Sequence, residues 1–282
     1  MPSGEPACEG PQSESAGAAG QAADAEVLYL VEDRVAWVTI NRPHRRNALT
    51  WTAMAALRRW LDVAADDPGV RVVVLRGAGE RAFCAGLDLR QEGGVGVGVA
   101  DLHDARGQVA ALFTRLWSLG KPTIAAVQGF AVAGGFGLAL ACDLVLCTDD
   151  AVFAAPEIDV GLWPFMITVP LARSMPPKKA LELMLTGRRV DAGEASRLGF
   201  VNRVVAAGEL EEAVTELGAV LAAKSPSAMK LGRDSFYAVW DMAAADALAV
   251  LHPLLSVISG TEDAEEGRAA FAEKRPPNWT ET

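Results

Sequence analysis

Apolar positions are arranged in two ways along this chain. Up to about Pro176 they form short runs broken by glycine, proline and charge. From Pro177 onward they recur at helical spacing. Ala36 to Ile40 alternates and is β-branched, which predicts a strand, and Val70 to Leu75, with Val72, Val73 and Val74 as a buried run, predicts another. Thr50 is placed to cap a helix reaching about Val63. Val109 to Leu119 reads as a helix stopped by Gly120 and Pro122. A strand over 123–127, a helix over 135–142, and strands at Leu144 to Cys147 and Val152 to Ala154 follow. Later helices are expected at Lys178 to Leu185, Ala192 to Leu198, Glu209 to Ala223, Ser227 to Trp240, Ala243 to Ile258 and Glu262 to Lys274. Short strands alternating with helices indicate an α/β spiral rather than a sandwich. No fixed-period repeat stands out.

Two glycine-containing turns interrupt this pattern. Arg81-Ala-Phe-Cys-Ala-Gly-Leu-Asp-Leu89 is an apolar run ending in a small-residue turn. Gln128-Gly-Phe-Ala-Val-Ala-Gly-Gly-Phe-Gly137 follows a strand and opens into an apolar helix. A helix that begins at a glycine pair presents unsatisfied N–H groups at the positive end of its dipole. One N–H from each turn would suffice to grip a carbonyl oxygen as it becomes negative, which is an oxyanion hole. Glycine turns also serve simply to relieve backbone strain, and each turn alone is compatible with that reading. A dinucleotide fingerprint is excluded because Leu140 takes the third glycine position, and no Gly-Lys-Ser/Thr follows to make a P-loop.

Composition narrows the class. A formal net charge of −10 opposes nucleic-acid binding and favours solubility. The length, with 51% hydrophobic residues, allows a sizeable core. Cys8, Cys84, Cys142 and Cys147 have no metal-ligand spacing, and three of them lie in apolar stretches. They read as reduced core residues of a cytosolic, hence cytoplasmic, protein, with Cys84 a packing residue. No run of eighteen uninterrupted apolar residues predicts a membrane span. Residues 1–24 are rich in Ala, Gly, Ser, Pro, Glu and Gln and contain neither Lys nor Arg. They are expected to be a disordered tail, not a signal or transit peptide. The run Gly93 to Gly98 reads as a loop, either a wall over a substrate tail or a surface segment without a role.

The two turns, together with five further segments in order, resemble the crotonase family, also called the enoyl-CoA hydratase/isomerase family. The marks are Asn41-Arg-Pro-His-Arg-Arg-Asn-Ala-Leu49, Phe83-Cys-Ala-Gly-Leu-Asp-Leu89, Lys121-Pro-Thr-Ile-Ala-Ala-Val-Gln-Gly129, Ala141-Cys-Asp143, Phe153-Ala-Ala-Pro-Glu157, Leu185-Thr-Gly187 and Ala270-Phe-Ala-Glu-Lys-Arg275. The resemblance runs from about Val27 to Trp279. It implies a spiral of ββα turns over 25–208 and a helical C-terminal trimerisation region over 209–282, with trimers or hexamers as the assembly. It also implies an acyl-CoA thioester as substrate, with coenzyme A part of that substrate rather than a cofactor, and no metal.

Acyl-CoA chemistry beside a thioester needs an oxyanion stabiliser and a base. In the family's pattern the donors are backbone N–H groups, mapping here to Leu87 and Gly134. The acid/base positions map to Gly137, which has no side chain, and to Glu157, so one carboxylate stands where a two-glutamate hydratase has two. Apolar neighbours of Glu157 would raise its pKa. The alternative is that Glu157 is merely exposed at a strand end. The segment Leu162-Trp-Pro-Phe-Met-Ile167 is bulky where hydratases are glycine-rich, and is expected to exclude water. Its Pro-Phe pair resembles single-glutamate 3,2-enoyl-CoA isomerases. Asp159 is a spare acid. Arg46 and Ala48 are expected along the coenzyme A arm, with His44 or Arg45 near its phosphates. Ala85, Leu87, Asp88 and Leu89 would follow the pantetheine and adenine, Asp88 chiefly bracing the turn. Pro156 is also expected to bind the substrate. Phe271 and Lys274 match positions that reach into a neighbouring subunit, and Lys274-Arg275 is a second basic cluster suited to the phosphates. The resemblance leaves several outcomes open: isomerisation, favoured by the single glutamate, 2-enoyl-CoA hydration, another reaction of the family, or acyl-CoA binding with little turnover.

Overall fold

The computed structural model describes residues 25–88, 90 and 98–280. The expected tail over 1–24, Cys8, Leu89 and the glycine run over 93–97 lie outside the described residues.

Two sheets carry the fold. The larger has six strands in the order β1 (Val27–Glu32), β2 (Val35–Ile40), β3 (Val72–Gly77), β5 (Thr123–Val127), β7 (Leu144–Thr148) and β10 (Arg203–Val205). The smaller has four, β4 (Ala82–Cys84), β6 (Phe130–Val132), β8 (Val152–Ala154) and β9 (Arg189–Asp191). Among the described strands, β1–β2 and β8–β9 pair antiparallel and the other strand pairs are parallel. The chain visits the large sheet, then the small sheet, then a helix, and repeats. The turns are β3-β4-α2 (Val99–Trp117), β5-β6-α3 (Gly134–Ala141) and β7-β8-α4 (Phe165–Ser174), which make the α/β spiral of ββα turns.

The central strands are buried on both faces, as parallel strands usually are. Ala36, Val38 and Ile40 face one core with Leu57 and Leu61 of α1 (Trp51–Asp66), whereas Val35 and Trp37 face a second core with Val214 of α7 (Leu210–Ala222). Thr50 caps α1 as expected, its side chain accepting from the Ala53 N–H at 2.9 Å. Short elements α5 (Pro177–Thr186) and α6 (Ala192–Leu198) complete the spiral, and α8 (Pro226–Val239), α9 (Ala244–Ser259) and α10 (Glu262–Glu273) follow α7. No single helix among the described residues is long and apolar enough to cross a membrane.

The short strands β4, β6, β9 and β10 were not expected, and three other elements also depart from expectation. Helix α2 begins at Val99, about ten residues before the expected start, because its first turns are polar, largely exposed and without apolar period. Strand β1 was not expected; its burial fades from Val27 to Glu32, leaving little alternation to read. Helix α4 contains Pro170 and starts beside Pro164, two residues that argue against a helix in sequence.

The outer helices are tied to the spiral through Asp143. Its carboxylate accepts from the Thr123 N–H at 2.7 Å and hydroxyl at 2.9 Å, the Arg233 Nε at 2.7 Å and the Tyr237 hydroxyl at 2.6 Å. Arg233 also donates to the carbonyls of Trp117 and Leu116. One acid thus joins β5, α2 and α8. Removing one partner of a buried pair leaves the other charge uncompensated. Asp143→Ala is expected to lower unfolding free energy by about 3–5 kcal/mol, read by urea denaturation, with α8 losing amide-exchange protection first.

Candidate active site

Three adjacent parallel strands of the small sheet, β4, β6 and β8, end at one level. Cys84 pairs with Ala131, and Val132 pairs with Ala154. Leu87 comes three residues after β4 ends, Gly134 two residues after β6, and Glu157 three residues after β8. Parallel strands deliver their carboxyl-end loops to a common crevice, so the three candidate groups are gathered by topology rather than by long side chains.

The two turns meet through backbone. A Cβ on Gly86 would fall 3.1 Å from the Gly134 nitrogen, and one on Gly134 would fall 3.8 Å from the Leu87 nitrogen. Gly86 has φ +88, so glycine is needed there for conformation as well as space. Ala133, the residue before α3, holds φ 52 and ψ −127, a strained conformation for a residue with a side chain. The Ala133 N–H donates to the Ala154 carbonyl at 2.9 Å, tying the turn to the strand that leads to Glu157. Gly134 and Gly135 open α3, where N–H groups have no intrahelical acceptor. Leu87 pairs with Leu49 as an isolated bridge, but the bonds run from Leu49 to Gly86 and from Asp88 to Leu49, leaving the Leu87 N–H outside it. The backbone nitrogens of Leu87 and Gly134 therefore lie close to one another across the two turns.

The first turn is braced by a residue that the sequence reading did not single out. Arg42 pairs with Asp88 at 3.1 Å and Glu26 at 2.9 Å and donates to the Ala48 carbonyl at 2.5 Å. These arms lie far apart in sequence, and the only local signal was the Asn-Arg-Pro start of the 3-10 turn Pro43–Arg45. Arg42 holds the Asp88 carboxyl below its ordinary range against a burial effect that acts the other way. Asp88 therefore braces the turn. Asn47, buried with φ 57, donates to the carbonyls of Ala78 and Ala82 and accepts from the Arg42 N–H. Ala48 and Ala85 are half-buried alongside, with the Ala85 N–H donating to the Arg46 carbonyl at 3.1 Å. His44, Arg45 and Arg46 are exposed on the same loop.

Glu157 lies half-buried in the 3-10 turn Pro156–Val160, just after the half-buried Pro156. Its Oε2 is buried and has no hydrogen-bond partner among the described residues. Burial raises its pKa above the ordinary 4.5, opposed only by its own backbone N–H. It is not a solvated strand-end acid. Asp159, weighed as a substitute, is exposed, and its carboxylate stands beside Gly187, 3.1 Å from where a Cβ there would lie.

The bulky segment after Gly161 divides. Phe165 is 71% exposed, and Leu162 and Met166 also face outward, so they do not line a dry wall within this chain. Ile167 is the residue that turns in, at 2% exposure. A Cβ on Gly137 would meet its Cγ2 at 2.3 Å and Phe113 Cζ at 3.0 Å. Phe271, at 87% exposure, and the exposed Lys274 belong to α10, which packs on α8 and α9. Arg275 is committed to Glu266 at 2.6 Å and Glu273 at 2.6 Å, which takes it out of the expected basic cluster.

Comparison with known proteins agrees with this geometry. Residues 31–282 match the family model for enoyl-CoA hydratase/isomerase, and the chain belongs to that family. A putative enoyl-CoA hydratase of Thermus thermophilus is 39% identical over 254 residues, covering 90% of this chain and 100% of the relative. A carnitinyl-CoA dehydratase of Proteus mirabilis is 40% identical over 219 residues, covering 76% of this chain and 83% of the relative. Among solved structures, an enoyl-CoA hydratase of Mycobacterium smegmatis superposes with a TM-score of 0.87 at 34% identity, covering 91% of this chain and 99% of that one.

Two outcomes follow from the geometry. A Cβ on Gly135 would lie 2.1 Å from the Cys84 carbonyl oxygen, so Gly135→Ala must push α3 away from β4. Its kcat/KM on acyl-CoA esters is expected to fall about 10²-fold or more, the cost of misplacing one oxyanion donor, while the circular-dichroism spectrum stays native. Because burial raises the folded Glu157 pKa above 4.5, stability is lost as pH rises from 4.5 through the folded value. Glu157→Gln is therefore expected to melt higher than wild type at neutral pH, with the gap narrowing as pH falls through the folded value and closed below 4.5.

Proposed function

We propose that this protein is an acyl-CoA enzyme that moves a carbon–carbon double bond, converting 3-enoyl-CoA to 2-enoyl-CoA with Glu157 as the proton carrier. The observation that carries the reading is the buried Oε2 of Glu157, unpartnered among the described residues, in a chain whose position 137 is glycine. Glu157 takes a proton from C2, and the electron pair moves onto the thioester oxygen. The Leu87 and Gly134 N–H groups hold that enolate oxygen. As the enolate collapses, the double bond passes from C3–C4 to C2–C3 and Glu157 returns its proton to C4. One carboxylate, restored at the end, suffices for the cycle. His44, Arg45, Arg46 and Ala48 bind the coenzyme A arm, with Ala85 and Leu89 along it.

The assembly belongs to the same proposal. Helix α9 contributes no buried residue, although Leu248, Leu255 and Val257 are large and apolar. A homotrimer, alone or paired as a hexamer, would cover this face and carry Phe271 and Lys274 to a neighbour's coenzyme A site. The expected location is the cytoplasm.

The names of the Thermus thermophilus and Proteus mirabilis relatives favour a second reading, addition or removal of water at a 2-enoyl-CoA. Parallel assays on 2-enoyl-CoA and 3-enoyl-CoA separate the two. The 3-enoyl substrate is expected to be converted, and Glu157→Gln to lose about 10²–10⁴-fold in kcat. The acidic limb of the pH profile is expected above 4.5, since the base must be ionised. Hydration of the 2-enoyl substrate at ordinary enzyme rates would select the second reading.

A further inference from the structure

We propose that Ile167, seated against Gly137 and Phe113, is the residue that decides which reaction the site performs, because it fills the volume from which a second acid or a water would act. The inference rests on the reading of Glu157 as the single proton carrier.

Gly137 lies one turn along α3 from Gly134, so both occupy the same face of the helix. A side chain at 137 would project from the face that also bears an oxyanion donor. That direction is closed. Ile167 Cγ2 stands 2.3 Å, and Ile167 Cβ 2.8 Å, from where the first carbon of any such side chain would begin. Phe113 Cζ stands 3.0 Å from the same point. Ile167 is held in place from its own element. The preceding Pro164 is buried, and the Thr168 hydroxyl donates to the Pro164 carbonyl at 2.9 Å. The Leu162 N–H donates to the Glu157 carbonyl at 2.9 Å, so the segment leading to Ile167 is fastened to the backbone of the proton carrier.

The chemical consequence follows from what each reaction needs. Addition of water forms a C3–O bond and a C2–H bond, so it requires a located water and groups to take and give protons. A shift of the double bond forms one C–H bond and breaks another, and one carboxylate does both. Filling the space beside 137 with hydrocarbon removes the place for water and for a second acid together, while leaving Glu157 its access from β8. A β-branched side chain suits the task, having few rotamers by which to open.

The test compares wild type, Ile167→Ala, Gly137→Glu and the double variant Gly137→Glu/Ile167→Gly on both enoyl-CoA substrates. The double variant is expected to gain hydration of 2-enoyl-CoA by about 100-fold or more over wild type, the worth of an added acid/base group. Gly137→Glu alone is expected to gain none. Ile167→Ala is expected to admit water, read as greater deuterium incorporation per turnover from D2O during isomerisation. This arm keeps the inference exposed if the double variant folds poorly. A wild type that isomerises, with a folded double variant that fails to hydrate and an unchanged deuterium content in Ile167→Ala, would overturn the role of Ile167 and leave the isomerase reading intact. Gly137→Glu hydrating as well as the double variant would overturn it also. A wild type inert on both substrates, with a double variant that hydrates, would uphold Ile167 and overturn the isomerase reading.

Discussion

The contact on which the site depends is the approach of one backbone to another at Gly135. The first turn of α3 rests against the Cys84 carbonyl so closely that a methyl group would stand 2.1 Å from the oxygen. That approach sets Gly134 beside Leu87. Other features of the turns follow from the same need for closeness. Gly86 takes a positive φ, and Ala133 holds a strained conformation that its bond to Ala154 stabilises. Strain of about 1–3 kcal/mol persists only where neighbours over-determine the backbone. Here the neighbours include Phe136, Phe153 and Phe200, whose rings sit between 5.2 and 5.4 Å apart beneath the turn.

Electrostatics divides the site into a fixed half and a reactive half. On the fixed side Arg42 joins Glu26, the Ala48 carbonyl and Asp88, so its charge is met on three sides and the first turn cannot drift. On the reactive side Glu157 keeps one oxygen buried and unmatched. An unmatched buried carboxyl is costly to ionise, and the raised pKa that results is what the proposed proton carrier needs. Pairing that residue would stabilise the fold and, on the proposed reading, dull the chemistry.

Much of this could be read from the residues, and the reasons are local. The strand Thr123–Val127 and the strand Val152–Ala154 fall where the apolar runs lie, each bounded by turn residues. Helix α6 is bracketed by Asp191, whose side chain caps it, and by Gly199 at its end. The single carboxylate was visible as soon as position 137 was seen to be glycine. What escaped was non-local. Arg42 reaches Glu26 and Asp88, the latter forty-six residues away, and no spacing rule connects them. Helix α4 carries two prolines at or within it, and tertiary packing overrides what they would do in isolation. The segment over 162–167 was expected to exclude water as a bulky lining, yet a helix presents only one side to a core, and in α4 that side holds Ile167 rather than Phe165.

The meeting of Gly137 and Ile167 also restricts the order in which this site can change during descent. Nothing larger than hydrogen fits at 137 until Ile167 has become smaller. Shrinking Ile167 first opens a cavity worth about 2–4 kcal/mol, a large share of the stability of an ordinary domain. A lineage could therefore gain a side chain at 137 only by passing through a less stable intermediate or by acquiring stability elsewhere beforehand. The two residues act as a latch that single steps do not release.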